Sequence, residues 1–234
     1  MKIAHASDTH DHPVLIKSIG ETNADVIVLT GDILANRGRL PFVRGGWSGD
    51  GDGPSYRIDP AAERKYQRNW FRKVAKKWAP AFGSRPIVYV PGNHDFIDIR
   101  EWLTHYGVKP ENIHVISEAN PSCVVFGKTF AGFREIPWIS GEWMGENSGS
   151  FTECVDRAFD CDPDILVTHA PPNGILDGRD GYGIQELTAA LAYRPHKITH
   201  HFFGHEHSCG GRSVEEMGIK FINGACHMIV HDVE

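Results

Sequence analysis

An α/β fold with mixed sheets, two of them packed face to face and flanked by helices, is the class this sequence predicts. Three observations predict it. Short apolar runs rich in Val and Ile recur along the chain, and each stops at a polar, glycine-containing turn. Segments of helical period fall between several of these runs. Other short runs follow one another closely, as strands joined by tight turns do.

The alternating part comprises Ile3 to Ala6, Val26 to Thr30, Ile87 to Val90, Ile165 to Thr168 and Thr199 to Phe203. Their length and β-branched content suit buried strands. Pro13 to Thr22 supplies a helix between the first two, and Ile184 to Tyr193 supplies another before the fifth. From Ala61 to Trp78 the period is helical: Tyr66, Trp70, Phe71, Val74 and Trp78 share one arc, and Arg64, Lys65, Arg68, Arg72, Lys73 and Lys76 fill the other. Two readings fit that basic arc, the solvated outer face of a crossover helix or a contact surface for a phosphate backbone. Ile113 to Ile116, Ser122 to Phe126, Thr129 to Phe133, Ile219 to Ile222 and Met228 to Val230 read as consecutive strands with tight turns. Gly45 to Gly53 and Gly141 to Gly149 read as surface loops, too short to divide domains. The expectation is one domain over 1–234, with an insertion at about 37–84 made of the glycine-rich loop and the basic helix.

Composition narrows the class. With 234 residues, 41% of them hydrophobic, the chain can bury a substantial core. The opening MKIAHASDTH lacks the basic flank and apolar run of a signal peptide, and no stretch reaches bilayer length. A soluble, cytoplasmic protein with no membrane partner is expected. Five scattered cysteines without a CxxC spacing suggest neither a disulfide framework nor a thiolate zinc site, and they read as buried or half-buried thiols. A net charge of -6 argues against a dedicated nucleic-acid binder. Fourteen histidines are more than a chain of this length usually carries.

The positions of those histidines carry the chemistry. Ile3 to Ala6 runs into Asp8-Thr9-His10, Val26 to Thr30 into Gly31-Asp32, and Ile87 to Val90 into Gly92-Asn93-His94-Asp95. Ile165 to Thr168 runs into His169, and Thr199 to Phe203 into Gly204-His205-Glu206-His207. Open α/β sheets place ligands beyond the carboxyl ends of their strands, so these five clusters can meet. Asp8 and His10 stand two apart, as do His205 and His207, and on extended chain each pair points to one side. Taken singly, each residue has a structural explanation in a cap or turn. The ordered set does not, because turn chemistry gives no reason for His and Asp to follow five strands on one side. Asp32 can bridge two cations through its two oxygens, and Asn93 offers a neutral carbonyl. Two carboxylates against two divalent ions leave a surplus of about two positive charges, which attracts phosphate.

The ordered blocks Asp8-x-His10, Gly31-Asp32, Gly92-Asn93-His94-Asp95, His169 and Gly204-His205-x-His207 resemble the calcineurin-like metallophosphoesterase superfamily. SDTHDH at the start, THAPPNGILD at 168–177 and Trp138 after Ile136-Pro137 look like its small class-III-type and metallophosphoesterase-domain phosphodiesterases. The resemblance implies a four-layer α/β/β/α sandwich with two mixed sheets and a dinuclear site. One metal would take Asp8, His10, Asp32 and His207, and the other Asp32, Asn93, His169 and His205. The all N/O donor set suits manganese, which is expected, as well as iron, zinc or nickel.

The chemistry that follows is phosphoester hydrolysis, a phosphodiesterase being the leading reading. The two metals that the resemblance implies would lower the pKa of a bound water toward neutral and so supply a nucleophile for phosphorus. His94, beside Asn93, is the candidate general acid, with a purely positioning histidine as the alternative role. Asp95 reads as a loop-fixing residue. Relatives often carry an acid three residues after the bridging Asp, where this chain has Ala35; Asn36, one residue on, is the candidate partner of His94. Arg37, Arg134 and Arg179 are candidate phosphate contacts, with surface solvation as the rival reading. The same metal core also supports a phosphomonoesterase; a nuclease is favoured only by the basic helix. A non-enzymatic scaffold is disfavoured by the intact ligand set. Oligomeric state leaves no trace in the sequence.

Overall fold

A computed structural model describes residues 1–10, 12–36, 59–139, 143–179 and 181–233. Arg37, the glycine-rich stretch 45–53 and the start of the second one lie outside the described residues.

In chain order the elements are β1 (Lys2–Ala6), α1 (Pro13–Gly20), β2 (Val26–Leu29), α2 (Pro60–Phe82), β3 (Ile87–Tyr89), α3 (Arg100–His105) and β4 (Ile113–Val115). There follow β5 (Ser122–Val125), β6 (Lys128–Phe133), β7 (Ile136–Pro137), β8 (Glu146–Asn147), α4 (Thr152–Phe159), β9 (Ile165–Thr168) and α5 (Gln185–Tyr193). β10 (His200–Phe203), β11 (Ser213–Glu216), β12 (Ile219–Asn223) and β13 (Met228–Asp232) complete the chain.

Two mixed sheets result. The first has the order β13-β1-β2-β3-β4, parallel except for β13 against β1. In the second, β11-β12-β10-β9-β6-β5, the four inner strands are parallel and the two edge strands antiparallel. Side-chain alternation along each strand then sets the layers. Val26 and Val28 of β2 pack with Ile165 and Val167 of β9 between the sheets. Ile27 and Leu29 face the opposite way, onto Ile16 of α1, Phe71 of α2 and Leu103 of α3. Leu166 of β9 likewise faces Val155 of α4 and Leu187 of α5. Helices, sheet, sheet and helices therefore form four layers with apolar contact between each pair.

The basic helix is the crossover from β2 to β3. Asp59 caps it by accepting from the amides of Ala61 and Ala62, and Pro60 occupies its first turn. Its buried stripe runs through Glu63, Gln67, Phe71, Ala75, Trp78 and Phe82, while Tyr66, Trp70 and Val74 are only half-buried. The inward face is thus turned from the expected aromatic arc toward two polar residues, Glu63 and Gln67.

The run of consecutive strands is corrected in three places. Of the expected strands only β5 and β6 pair with each other as a hairpin, through Phe126 and Gly127 at φ 48° and 77°. β4 instead extends the parallel part of the first sheet. β12 and β13 belong to different sheets, because residues 224–226 cross between them: the Gly224 amide donates to Phe203 O, and the Cys226 amide to Ser7 O. The described part of the second glycine-rich stretch holds β8, paired with β7. α3, α4 and β11 are not among the expected elements, and β11 is a mostly exposed, polar edge strand. Among the described residues no helix is long and apolar enough to cross a membrane.

Candidate active site

Three β-strands of the first sheet and two of the second end at one place. Asp8, His10 and His207 offer ligand atoms within 4.8 Å of one another, as do Asp8, Asp32 and His169. The same holds for His10, Asp32 and His94, so distance alone would also admit His94 as a ligand. His207 Nε2 lies 3.0 Å from Asp8 Oδ1. Asp32 divides its oxygens: Oδ1 is 3.5 Å from His169 Nε2, and Oδ2 is 3.8 Å from His10 Nε2. Asn93 Oδ1 is 2.9 Å from His169 Nε2. His205 falls outside these three groups; its ring lies beside that of His169, centroids 5.0 Å apart. The two histidines of the second pair therefore face different parts of the site, His207 toward Asp8 and His205 toward His169.

The means of convergence differs from the expected extended chain. Asp8, His10, Asp32 and His205 have φ of 51°, 41°, 54° and 66°, all left-handed. Such backbone is uncommon for non-glycine residues and needs support from its surroundings. Support comes from strand-end hydrogen bonds: the Asp8 amide donates to Gly31 O at 2.9 Å and the His10 amide to Asp32 O at 3.0 Å. Asp8 Oδ2 in turn accepts from Ser7 Oγ at 2.7 Å and from the His205 amide at 2.8 Å. This close crossing leaves no room for a side chain at Gly204, where a Cβ would overlap Ser7 Oγ and Asp8 Oδ2. Gly31, at φ 98°, similarly backs against His169 and Gly92.

Tautomers follow from these contacts. His169 Nδ1–H donates to Thr30 O at 2.6 Å, which leaves Nε2 as the atom facing Asp32 and Asn93. Asn36 Nδ2 donates to His94 O at 3.1 Å, so its Oδ1 is the acceptor 2.8 Å from His94 Nδ1. His94 thus carries its Nδ1 proton toward Asn36 and turns Nε2 to Asp32 Oδ2, 3.7 Å away. Trp143 lies against the other side of the imidazole, ring centroids 3.9 Å apart.

Charge is unevenly shared across the cluster. Burial pushes the Asp8 carboxyl up, but the His207 hydrogen bond and the nearby imidazoles outweigh it and hold Asp8 below the usual carboxylate range. Burial, with Asp8 and Asp95 nearby, raises Asp32 despite His169. His207 is raised to about 10, mainly by the Asp8 hydrogen bond. Burial opposes protonation of His169, yet Asp32 and Asp8 prevail and raise it to about 9. His205, buried with His169 alongside, is lowered to about 3. Protons held at His169 and His207 are those a divalent ion would displace.

The loop after β3 is clamped from several sides. Asp95 is a loop-fixing residue: Oδ1 accepts the Ile33 and Leu34 amides, each at 3.0 Å, and Oδ2 accepts Tyr89 OH at 2.8 Å and the Gly92 amide at 2.9 Å. Arg134 turns inward and donates to Gly92 O at 2.8 Å, so it braces this loop. Arg179 is exposed and lines a cavity of about 590 Å³ with Ser208, Cys209 and Arg212, next to the turn bearing His207.

Several supporting residues lie beyond what the sequence reading identifies. Ser7 precedes Asp8 directly, and its place in the motif is the available signal. Thr30 acts through its carbonyl, which leaves no trace in residue type. His5 and His201 are buried and pair with Thr30 Oγ1 and Thr168 Oγ1, each at 2.8 Å. Burial pushes both histidines down to about 3. Of the cysteines, Cys154 and Cys209 are buried, whereas Cys226 is exposed, contrary to expectation.

A model of the calcineurin-like phosphoesterase family matches residues 1–209. No curated protein sequence matches the chain. Among solved structures, TT1561 of Thermus thermophilus aligns with a TM-score of 0.58 and 16% identity, covering 100% of this chain and 99% of that one. At that identity the likeness speaks for the fold alone.

Proposed function

We propose, from the premise that this chain belongs to the calcineurin-like phosphoesterase family over residues 1–209, that it hydrolyses phosphodiesters with two divalent cations. The observation that carries this reading is the joining of Asp8, His10, Asp32, His169 and His207 into overlapping ligand groups with His94 beside Asp32. Asp8, His10, Asp32 and His207 would hold one cation, and Asp32, Asn93, His169 and His205 the other. The donors fit: all are N or O atoms, two carboxylates balance part of the charge, and Asp32 presents one oxygen to each side. Bound there, manganese or a similar ion would activate water and neutralise charge developing on phosphorus.

The remaining work falls to the chain. His94 donates a proton from Nε2 to the leaving oxygen, and Asn36 holds the opposite nitrogen so that Nε2 faces the site. His94 is assigned to this role in preference to ligation because the seven ligands that the family resemblance implies would fill both shells without it. The likeness of residues 168–177 and Trp138 to small class-III-type enzymes supports a diester over a monoester.

The test compares the wild type with Asp32→Asn on a phosphate monoester, a diester, cyclic nucleotides and single-stranded DNA, each with added Mn²⁺. Loss of metal from the purified variant and a fall in rate of about a thousandfold or more are expected, within the range that metal-assisted chemistry supplies. Equal activity in the variant would remove Asp32 as the bridging ligand, and a monoester turned over fastest would replace the diester reading.

A further inference from the structure

We infer that Gln67, on the crossover helix α2, is a positioning residue for His94. The inference rests on the reading of His94 as the general acid. Gln67 is 0% exposed, on a helix face otherwise occupied largely by Phe71, Ala75, Trp78 and Phe82. An amide at such a position is unusual unless polar groups opposite it need partners. They do: Gln67 Nε2 donates to His94 O at 2.6 Å, and Gln67 Oε1 accepts the Phe96 amide at 2.8 Å. One side chain thus satisfies the carbonyl of the acid itself and the amide two residues on, as a neighbouring strand would. The His94 carbonyl receives a second donor from Asn36.

The same helix reaches the other side of His94 one turn earlier. Arg64 approaches Met144 Sδ at 3.9 Å, and the Met144 amide donates to Asn93 O at 3.1 Å. Met144 follows Trp143, whose ring lies on the imidazole. α2 therefore seats the backbone of the acid loop directly and the segment covering its ring through Met144. This explains why its inward face carries Gln67. Displacing a reacting group by about 1 Å can cost on the order of a hundredfold in rate, so the brace bears on catalysis.

The experiment exploits leaving-group basicity. A p-nitrophenolate leaves without a proton, whereas a phenolate depends on the acid, so paired p-nitrophenyl and phenyl esters of thymidine 5′-phosphate isolate the contribution of His94. His94→Ala sets the reference. Gln67→Met is expected to lower kcat/KM on the phenyl ester about tenfold or more, part of the range general acids supply, while the p-nitrophenyl ester changes by less than about threefold. Gln67→Glu keeps the acceptor for Phe96 but opposes an oxygen to the His94 carbonyl, and it should share the selective loss. Both esters are measured on one sample, so an inactive fraction cancels from the ratio. Independently of turnover, hydrogen exchange in peptides covering 92–96 should quicken in Gln67→Met. Equal losses on the two esters, or none, beside a selective His94→Ala would overturn the role of Gln67. If His94→Ala itself affects both esters alike, the acid reading falls and takes this inference with it.

Discussion

The floor of the site and the loop that carries His94 are held by different kinds of contact. On the floor, Asp8, His10, Asp32 and His205 sit on left-handed backbone just beyond strand ends, and main-chain hydrogen bonds tie one strand end to the next. Around His94 the grip comes from side chains: the amides of Asn36 and Gln67, the carboxylate of Asp95 and the guanidinium of Arg134. A main-chain lattice with no free volume should fail as a whole when one atom is added. A side-chain clamp should fail by degrees, each contact supporting one aspect of His94.

Gly204→Ala tests the floor and should have the largest effect. The added methyl meets Ser7 Oγ and Asp8 Oδ2, so Asp8 must move. We expect loss of bound metal and a fall in activity of about a hundredfold or more on every ester, whatever its leaving group. Elemental analysis of the purified variant with steady-state rates checks this, and a metal-replete, active variant would break the picture of a rigid floor.

Asn36→Asp sharpens the other side of the comparison. A carboxylate 2.8 Å from His94 Nδ1 would favour the protonated imidazole over the neutral one. The alkaline limb of the kcat profile on a phenyl ester should move up by about one pH unit or more, with little change on the p-nitrophenyl ester. An unmoved limb would mean that Asn36 does not govern this proton.

The smallest effect on catalysis is expected from histidines outside both regions. His5 and His201 are pushed down to about 3 by burial, whereas in the unfolded chain each titrates near the ordinary histidine value of 6.5. Below that value the unfolded state takes up protons that the native state refuses, so their contribution is complete above pH 6.5 and is lost as pH falls toward 3. In the metal-free protein His169 and His207, raised to about 9 and 10, act oppositely and lose their contribution as pH rises. Urea midpoints should therefore decline from pH 7 to pH 5, and His201→Asn should make that decline shallower. A slope identical to the wild type would show that His201 takes up its proton alike in the folded and unfolded protein.

Legibility follows the same divide between floor and loop. All seven ligand candidates stand directly after apolar runs, and β1, β2, β3, β9 and β10 form within a residue of the expected limits. Their pattern is local, since a buried strand needs only a short β-branched run and a turn. The way each pair converges is not legible, because a spacing of two implies extended chain, whereas Asp8, His10 and His205 lie on left-handed backbone. Gln67 is illegible for another reason. In the helical pattern it is one polar residue among many, and its burial depends on a loop 27 residues further along the chain.

By itself the sequence determined which residue types follow each strand, and thereby the chemistry available, because side-chain alternation and turn signals act over a few residues. Only the tertiary structure decided that β12 and β13 part company into opposite sheets, that His205 and His207 face different halves of the site, and that a helix amide completes the seat of His94. Those outcomes depend on distant backbone groups finding partners once water is excluded. Such partners have no address in the local sequence.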